Sequence, residues 1–103
     1  MRLFGLSEAN GYVPLLLETF ARVRELDDED EIRREVMAIE QLGIEVKAAD
    51  GLVDFRSLRG GEVVYLCWKF PEQAISHWHR LEAGYAGRKP IKEDDGFAAS
   101  WAN

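Results

Sequence analysis

The chain predicts an α+β fold in which an N-terminal antiparallel helical hairpin packs on a small antiparallel sheet of three or four strands. Two observations carry this. Apolar residues recur at three- and four-residue spacing up to Leu42, and beyond Gly43 the period drops to two. Turn signals at Asp50-Gly51 and Gly60-Gly61 then divide the second half into strand-length pieces. At 103 residues the chain is long enough for one modest core. Residues 1–91 are expected to form that single domain, and residues 92–103 a flexible C-terminal tail that Phe97 and Trp101 could dock.

The first helix is expected to start at Ser7 as N-cap, with Val13, Leu16, Leu17, Phe20 and Val23 forming its buried stripe. Pro14 fits only near the first turns and is expected to kink it. Glu18, Thr19, Arg22 and Arg24 then fall on the solvent side. Asp28 with Glu31 has the form of a capping box opening a second helix, whose positive N-terminal end suits the acidic run Asp27 to Glu31. Ile32, Val36 and Ile39 carry its apolar stripe, and Gly43 stops it. Ile44 to Ala48 alternates apolar and charged residues and pairs through the Asp50-Gly51 turn with Leu52 to Phe55. Glu62 to Lys69, rich in Val, Tyr and Trp, is the clearest strand. Phe70 to Gln73 makes a turn into a strand at Ile75 to Arg80, with helical periodicity over 72–82 as the competing reading.

Composition narrows function. Apolar residues make up 47% and charged residues 31%, as in folded globular proteins. A net charge of −6 opposes a phosphate-binding surface, so neither nucleic acid nor anionic membrane is an expected partner. The longest apolar run, Val13 to Leu17, is far short of the about 20 residues that span a bilayer. Met1 to Gly5 does not open a signal peptide, and one cysteine cannot form an internal disulfide, so the cytoplasm is the expected location.

Soft and titrating side chains concentrate between Cys67 and Arg88. On a strand, His77 and His79 share a face, and both could reach one metal ion. Cys67 could add a thiolate from the preceding strand. Glu72 in the turn and Asp54 on the earlier strand are candidate further ligands, and zinc or another divalent ion with an open position could activate water, with Glu72 as general base. The plainer reading is a buried cysteine and two partly exposed histidines. A Cys67–histidine nucleophilic pair is a third option, requiring a thiolate. Trp68 and Trp78 alternate to the opposite face and belong to the core. Arg88, bounded by Gly87 and Pro90, is a candidate anion clamp or partner for Glu72 or Asp54.

Gly51-Leu52-Val53-Asp54-Phe55, Leu66-Cys67-Trp68-Lys69 with Glu72 and Ile75, Trp78-His79 and Gly84 to Ile91 together resemble the DUF2203 family of small uncharacterised bacterial proteins. Arg2-Leu3-Phe4, Glu8-Ala9-Asn10 and Pro14 resemble the family's N-terminal helix, so the likeness runs over residues 1–91. His77 stands where the family usually has another aromatic, and Pro71 where it has glycine, which weakens a two-histidine metal site. Cys67, Glu72, Trp78, His79 and Arg88 match. The resemblance implies no particular activity and leaves Cys67, Glu72, His79, Asp54 and Arg88 as the cluster of interest. It also implies a helical hairpin shorter than that of relatives. With no complete catalytic motif, the expected function is a noncatalytic cytoplasmic interaction module that forms a homodimer with itself and meets an unidentified protein partner. The alternative is a metal sensor or metal-dependent hydrolase.

Overall fold

In the computed structural model, which describes residues 1–101, three helices precede the sheet: α1 (Leu6–Gly11), α2 (Val13–Val23) and α3 (Glu29–Glu40). The first expected helix is therefore broken in two. Pro14 lies in the first turn of α2, where its missing N–H and its ring prevent α1 from running through. The start also differs from expectation, because Gly5 and not Ser7 is the N-cap residue, and it offers no side-chain cap. α2 buries Val13, Leu16, Phe20 and Val23 as expected, with Leu17 half-buried. Thr19, expected on the solvent side, is also buried. Asp28 does cap α3, its Oδ1 accepting from the N–H groups of Asp30 (2.8 Å) and Glu31 (3.2 Å). α2 and α3 touch through the Arg22–Glu35 ion pair, 2.8 Å.

The sheet is larger than the three or four strands expected. Among the described residues it has six: β1 (Glu45–Ala48), β2 (Leu52–Arg59), β3 (Glu62–Lys69), β4 (His77–Arg80), β5 (Lys89–Pro90) and β6 (Phe97–Ala98). All pairings are antiparallel in the order β1-β2-β3-β4-β5, while β6 pairs with the far end of β2. A single turn of 3-10 helix, Tyr85–Gly87, precedes β5. The strand reading of residues near 77–80 thus prevails over the helical one. Two-residue ladders such as β5 and β6 are too short to leave a periodic signal. β6 comes from the segment expected as a tail, where Asp95 also accepts two bonds from Arg59, at 2.9 and 3.2 Å.

Register divides the sheet into two faces. Phe55, Leu66 and Trp78 lie in one row, since Phe55 pairs with Leu66 and Leu66 with Trp78. With Val53, Val64 and Trp68 they are buried in the core shared with Phe4, Leu16, Phe20 and Ile39. Phe55 packs edge-on against Phe4 (5.1 Å between centroids), and Trp68 lies 6.0 Å from Phe20. Truncating such core aromatics costs about 3–5 kcal/mol. Asp54, Cys67 and His79 occupy the other face.

Two hydrogen bonds tie the N-terminal segment to the sheet and to the loop before β4. Asn10 of α1 accepts from the N–H of Ile75 at 2.8 Å, and the Phe4 N–H donates to the carbonyl of Arg56 at 2.7 Å. At the β1–β2 turn, Gly51 has φ +118°, and a Cβ there would come within 2.5 Å of the Phe70 Cβ. Asn10→Ala strands the Ile75 N–H and is expected to cost about 1–3 kcal/mol. Gly51→Ala is expected to cost at least that much from strain and overlap. Urea denaturation of both variants checks this; wild-type midpoints in both would show that neither contact matters.

Candidate functional site

Three adjacent strands place the site residues. Asp54 of β2 pairs with Cys67 of β3, which pairs with His77 of β4, and two residues further along β4 His79 pairs with Tyr65. Rows two apart share a face, so Asp54 reaches His79 on the diagonal: its Oδ1 lies 3.1 Å from His79 Nε2. One ligating atom from each of Asp54, Cys67 and His79 falls within 4.8 Å of the others. All three residues are buried, at 3%, 0% and 2% exposure.

The hydrogen bonds of His79 fix its tautomer. Nδ1 lies 2.7 Å from the backbone carbonyl of Arg80, and a carbonyl oxygen only accepts, so Nδ1 carries the proton. In the neutral ring Nε2 is then a bare lone pair aimed at Asp54. A lone pair against a carboxylate is repulsive, so a proton or a cation must lie between them. Burial raises the Asp54 pKa, outweighing the pull of His79 and of the Cys67 bond. Burial first, and the Asp54 charge second, push the Cys67 thiol up to about 12, against an opposing pull from Arg88.

Arg88 and Glu72 form a separate pair beside Cys67. Arg88 donates to both Glu72 oxygens, at 2.7 and 3.2 Å, and its Nη1 lies 4.0 Å from Cys67 Sγ. Glu72 Oε1 also accepts from the Lys69 N–H at 2.8 Å. Burial works to raise the Glu72 pKa, but the Arg88 and Lys69 bonds outweigh it and hold the carboxyl below its ordinary range. Glu72 in turn raises Arg88.

A cavity of about 210 Å³ opens over the cluster, with Asp54, Cys67 and His79 in its lining. Exposed Lys47, Leu81, Gly84 and Tyr85 lie toward solvent, and Leu52 and Tyr65 complete the wall.

Of the residues singled out in the sequence, the converging group holds Cys67, His79 and Asp54, the last expected only as a further ligand. His77 pairs with Cys67 across the strands, but its Nδ1 bonds to Ser76 Oγ at 2.9 Å, outside the group. Glu72 is committed to Arg88, which makes Arg88 the partner of Glu72 that the sequence allowed. The nucleophilic pair has both groups on one face, yet a thiol raised to about 12 is not a thiolate at neutral pH. Lys47 and Tyr65 went unnoticed in the sequence; the alternation of Lys47 with Val46 and of Tyr65 with Leu66 put them on the site face.

The fold and the site together define a small α+β protein with a buried carboxylate, thiol and imidazole on the sheet face opposite its helices. By its sequence the chain belongs to the DUF2203 family, described as an uncharacterized conserved protein, whose profile matches residues 24–91. The match covers the whole sheet except β6 and the whole site; α1 and α2 lie outside it. No curated protein and no solved structure matches the chain.

With its thiol protonated and buried, Cys67 is expected to resist iodoacetamide at pH 8 in the folded protein and to react readily in denaturant. Mass spectrometry of the adduct reads this directly; comparable rates in both conditions would mean an exposed or ionised sulfur.

Proposed function

We propose that the protein binds one divalent transition metal through Asp54, Cys67 and His79, with zinc as the reference ion. The single observation that carries this is the convergence of a carboxylate, a thiol and a bare imidazole nitrogen beneath a cavity. Four-coordinate zinc, with bonds of 2.0–2.3 Å, sets its ligand atoms about 3.3–3.6 Å apart. The 3.1 Å Asp54–His79 contact is close to that spacing, and a separation of at most 4.8 Å needs to close by only about an ångström. The Nδ1–H bond of His79 to a carbonyl is the kind of anchor that orients metal-binding histidines.

Charge supports the same reading. A thiolate and a carboxylate balance a divalent ion, so the buried cluster becomes neutral when loaded. Mixed sulfur, nitrogen and oxygen donors suit zinc or ferrous iron better than magnesium or calcium. Three protein ligands leave a fourth position facing the cavity, where a bound water could be activated. Glu72 is not the base for such a water while Arg88 and Lys69 hold both its oxygens. The proposal therefore covers metal binding, in a sensor or as a hydrolytic centre that uses another base. The homodimeric interaction module rests on small size and the acidic start of α3, and sedimentation across a concentration series tests it separately.

Untagged protein purified without chelator is expected to carry, or take up, about one zinc per chain by mass spectrometry of its metal content. His79→Ala and Cys67→Ala should lose it while keeping the far-ultraviolet dichroism of the wild type, and Glu72→Gln should retain it. Folded wild-type protein that refuses added zinc would falsify the proposal. Binding must also expel the Cys67 proton, whose pKa lies near 12, together with the proton between Asp54 and His79. Apparent affinity is therefore expected to fall by at least about tenfold for each pH unit lowered between 8 and 6. Calorimetry in buffers of different ionisation enthalpy should count the released protons, and an affinity indifferent to pH would exclude Cys67 as a ligand.

A further inference from the structure

We infer that the open metal position takes a small monocarboxylate whose hydrocarbon body lies in the cavity over Asp54, Cys67 and His79. The inference rests on the metal reading above and names the ligand class of the same site.

Charge selects a monoanion. The loaded cluster is neutral, and so is the Arg88–Glu72 pair beside it. Outside the cavity lining, Glu45 is shared by two cations: Arg56 Nε donates to one of its oxygens, and Lys47 Nζ lies 3.0 Å from the other. Tyr65 donates its hydroxyl to that second oxygen at 2.8 Å. Arg56, Lys47 and Glu45 together carry one net positive charge, and of the three Lys47 is the one that lines the cavity. A phosphate dianion exceeds that charge; a carboxylate matches it, with one oxygen for the metal and one for Lys47.

Shape and polarity select the rest of the molecule. Leu52, Leu81 and the ring of Tyr85 give the cavity apolar walls, which a bare inorganic anion would leave uncovered. Its volume of about 210 Å³ lies below the roughly 300–1,000 Å³ of pockets for drug-sized ligands. A short-chain acid is therefore the fitting class.

The test uses the cobalt-loaded full chain, whose visible absorption reports both the metal and its open position. Butyrate is expected to shift the cobalt bands saturably, and uncharged butyramide to leave them unchanged. Methyl phosphate should need at least about ten times the concentration of butyrate, and Lys47→Gln should weaken butyrate by about tenfold or more. Lys47→Arg should restore most of the affinity, and neither variant should alter the cobalt spectrum before butyrate is added. Cobalt bands that ignore butyrate, or that answer butyramide equally, overturn the carboxylate while the metal site stands. A chain that takes no cobalt overturns both.

Discussion

A β-strand shows alternate residues to opposite faces, so the register of β2, β3 and β4 sets the core and the site in one act. Seating Phe55, Leu66 and Trp78 in one row against the helices leaves the rows on either side facing outward. Those rows hold Asp54 and Cys67 on one side and Tyr65 and His79 on the other. A slip of one residue would turn the carboxylate and the imidazole into the helices and the large apolar side chains to water. The buried row is therefore what keeps the three donor atoms together.

That arrangement has an energetic cost, which the local hydrogen bonds partly offset. Burying an unpaired carboxylate is expensive, and Asp54 has the buried imidazole of His79 as its close partner. His79 is held from behind by the Arg80 carbonyl, a contact set by the backbone of its own strand. Arg88 reaches Cys67 from the loop before β5 and is itself held by Glu72, which is fixed to the Lys69 N–H at the end of β3. Each titrating group is thus anchored to backbone or to a partner so anchored. In this account a metal replaces the proton between Asp54 and His79 and converts the buried thiol into a ligand.

Much of this was legible where local chemistry decides structure. The Val, Tyr and Trp content of Glu62 to Lys69 pointed to a strand, and alternation separated Trp68 and Trp78 from Cys67 and His79. Asp28 before an acidic turn gave the start of α3. Legibility failed where distant residues decide. Thr19 is buried at a position that helical spacing assigns to solvent, and β6 exists because Phe97 and Ala98 return to β2. The choice of Asp54 over Glu72 and His77 was hidden for the same reason: Arg88, far along the chain, claims Glu72, Ser76 engages His77, and only strand register brings Asp54 beneath His79.

X-ray absorption at the zinc edge of the loaded wild-type protein tests the central claim most directly. The account predicts one sulfur scatterer at about 2.3 Å and nitrogen or oxygen scatterers at about 2.0–2.2 Å, with the sulfur lost in Cys67→Ser. A shell of nitrogen and oxygen alone, or a sulfur signal that persists in Cys67→Ser, would contradict it.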